Sequence, residues 1–188
     1  MDFEQLFKKI TQEEIADKFN IFTLIGRDYF VVTAGKLEKY NSMVASGGCF
    51  GLLFKKPTVM TCLRSDRYTV ELIEKEQTYT LSFFANEYKQ QMMFLGSKSG
   101  RDSNKMSETK LSAIEIPCGN ISFKEARLII ECKLIQITTP ALDDFYSQKT
   151  KDWLKEAYKS VSDYRKYVFG EIAHVWLKNR SKVCSRDY

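Results

Sequence analysis

The sequence predicts a mainly β protein in which a β-barrel core is decorated with short helices. Several short segments are rich in β-branched and aromatic residues, and such segments favour strands. They do not alternate regularly with helices, as the segments of a parallel α/β sheet would. The 188 residues contain no internal repeat and no dividing linker. That length suits one globular domain with terminal additions.

Five segments are predicted to be strands. In chain order they are residues 28–34, 57–63, 78–84, 121–138 and 170–177. The first is followed by a polar turn over residues 35–39. The fourth is long enough to be a bent pair of strands.

Helices are predicted over residues 1–20, 66–76, 85–95 and 143–160. The first contains Thr11 and Glu14, whose spacing allows a capping box. Ser65 or Asp66 is expected to cap the second helix, and Gly96 to end the third. We therefore divide the chain into an N-terminal helical extension (1–20), a core domain (21–178) and a basic C-terminal tail (179–188).

The composition limits the chemistry that the chain can perform. Lys and Arg total 29 against 24 Asp and Glu, so the formal net charge is +5 and the pI is near 8.8. This mild surplus is compatible with a nucleic acid or with a phosphorylated small molecule. His174 is the only histidine, which excludes a multi-histidine metal site. Any catalytic triad would also have to use that residue. We predict no metal site.

The five cysteines show no C-x-x-C spacing, and the N-terminus carries no secretory signal. We therefore expect free, mostly buried thiols and a cytoplasmic location. No apolar run approaches the ~20 residues that cross a bilayer, so no membrane partner is expected.

Three segments could carry chemistry. Residues 40–51 are dominated by small residues, so their backbone amides could approach a flat heteroaromatic ring; the alternative is an ordinary strand with a glycine bulge. Residues 64–69 place two arginines and several hydroxyls before a helix, as in an anion site; the alternative is a capped surface loop. Residues 96–102, continued to Lys105, combine glycines, serines and cations, as a loop that binds a phosphate does. The alternative is a flexible polar loop.

Taken together, the three segments favour one ligand with a phosphate, a polar portion and a ring. A mononucleotide fits this description better than a nucleic-acid strand. The basic residues cluster in glycine- and serine-rich loops instead of lining one long face interleaved with aromatic residues. No nucleic-acid partner is therefore expected.

These segments are also where the chain resembles a known family. It is similar to the flavin reductase-like proteins with an FMN-binding split barrel, especially the flavoredoxin branch. The resemblance covers roughly residues 20–178 and runs through DYFVVTAG, EKYNSMVASGG, KKPTVMTCLRSDRYT, TLSFF, GSKSGRD with Lys105, and GEI. It implies a six-stranded Greek-key barrel, usually a homodimer, that holds FMN near the subunit interface.

The resemblance also implies which residues contact the cofactor. The segment along the isoalloxazine ring comprises Asn41, Ser42, Met43, Val44, Ala45 and Ser46. The residues near the phosphate and ribityl chain are Arg64, Arg67 and Thr69. The later loop supplies further cations and hydroxyls through Ser99, Gly100, Arg101 and Lys105.

Two positions depart from the family pattern. Relatives often carry a tryptophan that packs on the flavin at the position where this chain has Gly47. Phe50 is then the aromatic residue expected to replace that tryptophan against the flavin ring. Relatives also often have a proline where this chain has Ser65, so the turn is expected to be less rigid.

The activity implied by the resemblance is hydride transfer from NADH or NADPH to flavin N5. In such a protein the cofactor performs the difficult step, so no acid–base residue is required. We expect an NAD(P)H:flavin reductase or a flavoredoxin-like electron-transfer protein, with a redox partner protein. The alternative is a non-enzymatic FMN-binding module, a store or a sensor. His174 is expected to be structural, and Cys49 and Cys62 to be inert thiols beside the site.

Overall fold

The computed structural model describes residues 2–97, 100–101, 105–158 and 165–179. The strands are β1 (Phe7–Ile10), β2 (Phe30–Lys36), β3 (Lys39–Ala45), β4 (Gly48–Leu53), β5 (Lys56–Leu63), β6 (Thr78–Phe83), β7 (Ala113–Glu115), β8 (Ile121–Phe123), β9 (Leu128–Thr138) and β10 (Lys166–Lys178). The α-helices are α1 (Phe3–Leu6), α2 (Glu13–Lys18), α3 (Ile21–Gly26), α4 (Tyr68–Glu76), α5 (Lys89–Ser97), α6 (Lys105–Glu108) and α7 (Gln148–Ala157). Single 3₁₀ turns cover Asn86–Tyr88 and Leu142–Asp144.

The main sheet confirms the predicted fold class. Its strands run in the order β3-β2-β6-β9-β10-β5-β4, and β1 also pairs with β10. Every pairing is antiparallel. Strands β3 and β4 do not pair with each other, so the barrel stays open, as a split barrel does. Within the described residues the main sheet has eight strands, where the resemblance implied six, and β1 is one of the additions.

The N-terminal residues do not form a continuous helical extension. Strand β1 interrupts them and pairs with residues 175–178 of β10. That part of β10 is available because β5 pairs only with residues 166–171. Phe7 and Ile10 are buried by this pairing. The predicted Thr11–Glu14 capping box is confirmed, since each backbone amide donates to the other residue's side chain, at 2.9 and 3.3 Å.

Two apolar clusters fill the two faces of the sheet. Neighbouring residues alternate between them, as strand geometry requires. Val32 and Ile130 lie in the inner cluster, whereas Val31 and Ile129 lie in the outer one. Strands β7 and β8 form a small separate sheet, and Phe123 of β8 belongs to the outer cluster.

The ends of several helices and strands differ from the prediction. Helix α4 begins at Tyr68 with Arg67 in the capping position, because the Asp66 carboxylate is engaged by Arg64 instead, at 2.7 Å. Helix α5 continues through Gly96 to Ser97. The segment 40–51 lies in strands β3 and β4. The segment 121–138 contains two strands that belong to different sheets, β8 in the small sheet and β9 in the main sheet.

Four of the five cysteines lie in the described residues, and for these four the prediction is correct for pairing and wrong for burial. The four cysteines in the described residues are free thiols. Only Cys132 is fully buried, whereas Cys49 and Cys118 are exposed. Among the described residues, no helix is both long and apolar enough to cross a bilayer.

Gly170 occupies a tightly packed position in the centre of the sheet. A Cβ atom there would lie 2.9 Å from Cβ of Cys132 and still closer to the Tyr79 hydroxyl, both on neighbouring buried residues. We expect Gly170→Ala to lower the free energy of unfolding by about 1–3 kcal/mol, because the surrounding core must shift. Urea denaturation measures this. Gly51→Ala is the control, since a Cβ at that strand position meets nothing within 4 Å, and an equal loss in both variants would contradict the packing argument.

Candidate functional site

A cleft of about 810 Å³ lies beside the β2–β3 hairpin and the start of α4. Its lining residues are Leu37, Glu38, Lys39, Tyr40, Asn41, Tyr68, Gly100, Arg101, Met106 and Ser107. All three segments singled out in the sequence contribute to this lining. The fold therefore brings together stretches that are far apart in the chain.

Asn41 lies at the meeting point of the three segments. Its side chain is buried, and its Nδ2 donates to Thr69 Oγ1 at 2.8 Å. Gly100 approaches from the other side, where a Cβ would come within 2.9 Å of Asn41 Nδ2 and nearer to its Oδ1. A side chain at position 100 would displace this amide, which explains why a glycine occupies the loop.

Arg101 forms a cationic edge of the cleft. Its Nη1 donates to the Asp66 carbonyl oxygen at 2.7 Å, and its Nη2 donates to the Glu71 carboxylate. The guanidinium carbon also lies 5.8 Å from the centre of the Tyr68 ring, within the range of a cation–π contact. These contacts hold a charged group in place at the mouth of the cleft.

Asp66 organises the other arginines of this region. Arg64 makes a two-point contact with its carboxylate, at 3.2 and 2.7 Å. Arg67 Nε lies 3.9 Å from the same carboxylate. The three arginines thus gather around one residue, and their charge is partly offset by Asp66 and Glu71.

Lys105 is directed away from solvent. Its Nζ donates to the Leu95 carbonyl oxygen at 2.8 Å, which ties α6 to the last turns of α5. Burial, together with the nearby positive charge of Arg67, lowers the pKa of Lys105 to about 8. This lysine therefore changes charge in the range where ordinary lysines remain protonated.

The side chains of the other predicted contacts on β3 do not face the cleft. Ser42 shares a hydrogen bond with Thr33 Oγ1 at 2.8 Å. Met43 and Ala45 lie in the inner apolar cluster, and Val44 packs against the outer one. None of these four residues lines the cleft.

The end of β3 meets the end of β5. The Cys62 amide donates to the Gly47 carbonyl oxygen at 2.9 Å, which places the exposed Ser46 close to the strand that precedes Arg64. Phe50 packs against the inner cluster and does not line the cleft. Ser99, also predicted as a contact, lies outside the described residues.

Some lining residues were not assigned from the sequence. Tyr68 lies inside the predicted anion segment 64–69, between Arg67 and Thr69. This position was the available sequence signal that Tyr68 lines the site. Leu37 and Glu38 belong to a turn, and Met106 and Ser107 to a short helix. Nothing in their local sequence indicated a ligand.

The fold and the cleft define a split-barrel protein whose cation-edged site is built on β3 and α4. The family model described as "Flavin reductase like domain" matches residues 22–183. The chain therefore belongs to the flavin reductase-like family. A search among curated proteins gave no match.

Solved structures share this fold at low identity. The FMN-binding protein from Thermus thermophilus, crystallised with 1-cyclohex-2-enone, has a TM-score of 0.61 and 21% identity, covering 79% of this chain and 69% of that one. An FMN-binding domain of a flavin reductases-like enzyme from Shewanella baltica OS155 has a TM-score of 0.63 and 18% identity, covering 91% and 76%. The flavoredoxin of Desulfovibrio vulgaris (Miyazaki F) has a TM-score of 0.60 and 20% identity, covering 85% and 72%.

The lowered pKa of Lys105 gives stability a specific pH dependence. Because its folded pKa of about 8 lies below the ordinary 10.5, the unfolded chain binds more protons than the folded one between those values. Stability is therefore gained as the pH rises through that window. From pH 7.5 to 9.5 we expect the Lys105 contribution to the free energy of unfolding to rise by about 2 kcal/mol. Urea denaturation of Lys105→Met should lack this increment.

The matched control is Lys110→Met, since Lys110 is an exposed neighbour on the same stretch of chain. It should keep the difference between the two pH values that the parent protein shows. Equal pH dependence in the parent and in Lys105→Met would contradict the assignment.

Proposed function

We propose that the protein is an FMN-binding oxidoreductase, an NAD(P)H:flavin reductase or a flavoredoxin-like electron-transfer protein. The observation that carries this proposal is the convergence of Asn41, Thr69, Gly100 and Arg101 beside one cleft. These residues come from the three segments that resemble the family. Similar solved structures support it, because two of them are FMN-binding proteins and a third is a flavoredoxin.

The residues present fit a flavin mononucleotide. The cleft volume of about 810 Å³ lies within the usual range for small-molecule sites. Arg101, with Arg64 and Arg67 nearby, would hold the phosphate. Asn41, which lines the cleft and is held in place by Thr69, offers its side-chain amide to the ribityl hydroxyls. At the end of β3, beyond the cleft lining, the exposed Ser46 and the half-buried Gly47 would offer backbone amides to the ring, without a bulky side chain in the way.

Bound flavin would supply the redox chemistry by accepting hydride from a reduced nicotinamide. The chain's own task is then to bind and orient. Its arginines neutralise the phosphate, and the Asn41–Thr69 hydrogen bond fixes a polar wall between β3 and α4. Gly100 lets the loop approach that wall closely. None of these roles requires a residue to donate or accept a proton.

A phosphate in this cleft must compete with acidic groups for the arginines. Glu71 and the Asp66 carbonyl already accept from Arg101. An arriving phosphate gains charge-assisted hydrogen bonds, but it also meets repulsion from Glu71. Removing Arg101 and removing the Glu71 charge should therefore have opposite effects.

We expect the purified protein to be yellow and to bind FMN. Arg101→Gln should weaken FMN binding roughly 10-fold, the value of one charge-assisted hydrogen bond. Glu71→Gln should strengthen it by up to about fivefold, because an exposed charge contributes modestly. Quenching of flavin fluorescence measures both affinities. Arg27→Gln is the control, since Arg27 is exposed and outside the cleft lining. A colourless protein that takes up no added FMN would overturn the proposal.

The alternative is an FMN-binding store or sensor without turnover. It has the same cleft, so binding alone does not separate the two functions. Mixing the FMN-loaded protein with NADH or NADPH under nitrogen does so, because a reductase bleaches the flavin absorption. Flavin that stays oxidised with both donors would favour the store or sensor, or a carrier reduced by a redox partner protein.

We also propose that the protein is a cytoplasmic homodimer. The free thiols of the four described cysteines suit a reducing compartment. Strand β4 is an edge of the sheet. The hairpin that joins it to β5 exposes 76% of Leu52 and 69% of Phe54. Exposed apolar side chains on an edge strand are a natural surface for pairing with a second copy.

In sedimentation, the double variant Leu52→Lys with Phe54→Lys should behave as a monomer, because a second copy cannot bury four new charges. Tyr146→Lys is the control, as an exposed aromatic residue outside the hairpin, and should leave the dimer intact. A parent protein that sediments at 21.9 kDa would contradict the dimer.

A further inference from the structure

A second cluster of chemically reactive side chains lies outside the cleft. It consists of Cys118, Glu131 and His174, whose ligand atoms all lie within 4.8 Å of one another. Cys118 Sγ is 3.6 Å from His174 Nδ1, and that Nδ1 is 2.9 Å from Glu131 Oε2. None of the three residues lines the cleft. The proposed flavin chemistry does not use them.

A β-bulge brings His174 to this cluster. Ile172 pairs with Cys132 and His174 pairs with Glu131, so Ala173 is an extra residue in β10. Without it, His174 would follow the alternation of Val168, Gly170 and Ile172 and point into the barrel core. The bulge turns the imidazole to the outer face, beside the Glu131 carboxylate.

Cys118 is brought to the cluster by a different part of the fold. It stands on the turn between β7 and β8. Strand β8 is fixed to β6 by two hydrogen bonds. The Thr80 hydroxyl donates to the Ile121 carbonyl oxygen at 2.6 Å, and the Ser82 and Ser122 hydroxyls share a bond at 2.8 Å. The thiol is thereby held over the outer face of the main sheet and remains exposed.

The buried Glu131 carboxylate is oriented by further groups. Only 3% of Glu131 is exposed. Its Oε1 accepts from Asn120 Nδ2 at 2.6 Å, and Asn120 Oδ1 accepts from the Thr78 hydroxyl at 2.7 Å. This chain leaves Oε2 directed at His174. Supporting hydrogen bonds of this kind orient the ligands of metal sites.

We propose that Cys118, Glu131 and His174 form a binding site for a divalent transition metal of the zinc class. A thiolate, an imidazole and a carboxylate are the zinc ligands of proteins. In a tetrahedral zinc site, bond lengths of about 2.3 Å to sulfur and about 2.05 Å to nitrogen place those two ligand atoms about 3.6 Å apart. The observed Cys118–His174 separation is 3.6 Å. The His174–Glu131 pair at 2.9 Å must widen to about 3.3 Å to admit the ion.

The charges also balance when the ion binds. The Cys118 thiol releases its proton to solvent. His174 exchanges the Nδ1 proton that it donates to Glu131 for a proton on Nε2, which leaves its charge unchanged and Nδ1 free to ligate. One thiolate and one carboxylate then neutralise the dication. The fourth ligand is a water molecule, because Cys118 lies at the exposed side of the cluster. A catalytic Cys–His–carboxylate relay uses both ring nitrogens of the histidine, whereas here Cys118 Sγ and Glu131 Oε2 both approach Nδ1 of His174.

The sequence could not reveal this site. We predicted no metal site because His174 is the only histidine. The three residues are separated by 13 and 43 positions in the chain, which matches no compact zinc motif. Only the bulge in β10 and the β7–β8 turn bring them together.

The test is titration of the whole purified protein with Zn²⁺, followed by calorimetry and by the thermal unfolding midpoint. We expect one ion per chain and a raised midpoint, because an ion that binds only the folded state stabilises it. Cys118→Ser and His174→Gln should each abolish both effects. The glutamine keeps an amide donor for Glu131, and Cys118 lies on an exposed turn, so both variants should fold. Asn120→Ala should weaken binding by roughly 10- to 100-fold, as loss of an orienting group does.

Cys49→Ser is the matched control, since Cys49 is also exposed and lies outside the cluster. It should bind Zn²⁺ like the parent protein, and so should Arg101→Gln, which separates this site from the proposed flavin site. Absence of Zn²⁺ binding to the parent protein would overturn the proposal. Binding that survives both Cys118→Ser and His174→Gln would do the same.

Discussion

Strand β10 is the constraint on which the rest of the structure depends. It is 13 residues long, and one of its edges pairs with β9 along most of its length. The other edge is divided, with β5 on residues 166–171 and β1 on residues 175–178. A strand shared in this way holds together the chain's N-terminal residues, the barrel and the hairpin that carries β4. Its register therefore decides what can face the core.

That register contains two irregularities, and both have consequences elsewhere. One lies between Phe169 and Gly170, where the chain passes so close to Tyr79 and Cys132 that only a glycine fits. The other lies between Ile172 and His174 and reverses the direction of the imidazole. A regular strand would bury a histidine among apolar side chains, where it would lack a polar partner. The bulge instead gives it Glu131.

The candidate site was predictable to the extent that it depends on local residue types. Arginines and hydroxyls before a helix are typical of anion sites, and the structure brings together beside one cleft Asn41, Thr69, Gly100 and Arg101, which the family resemblance implied. The direction of each side chain on β3 was not predictable. The family resemblance implied that Met43 and Ala45 contact the cofactor, whereas their side chains lie in the inner apolar cluster. The strand at residues 7–10 was missed because its partner edge on β10 lies at the other end of the chain.

The fold buries charged side chains whose burial lowers the free energy of unfolding. Among the described residues, the charged side chains that are fully buried are Lys105 and Glu131. Each costs free energy unless it is compensated, and an apolar residue would usually serve packing better. Lys105 borders the cleft residues and lies near Arg67, whereas Glu131 lies at the centre of the Cys118–His174 cluster. One buried positive group thus lies near the arginines and one buried negative group near the thiol and imidazole, and each suits the ligand proposed for its own site: an anion for the first and a cation for the second.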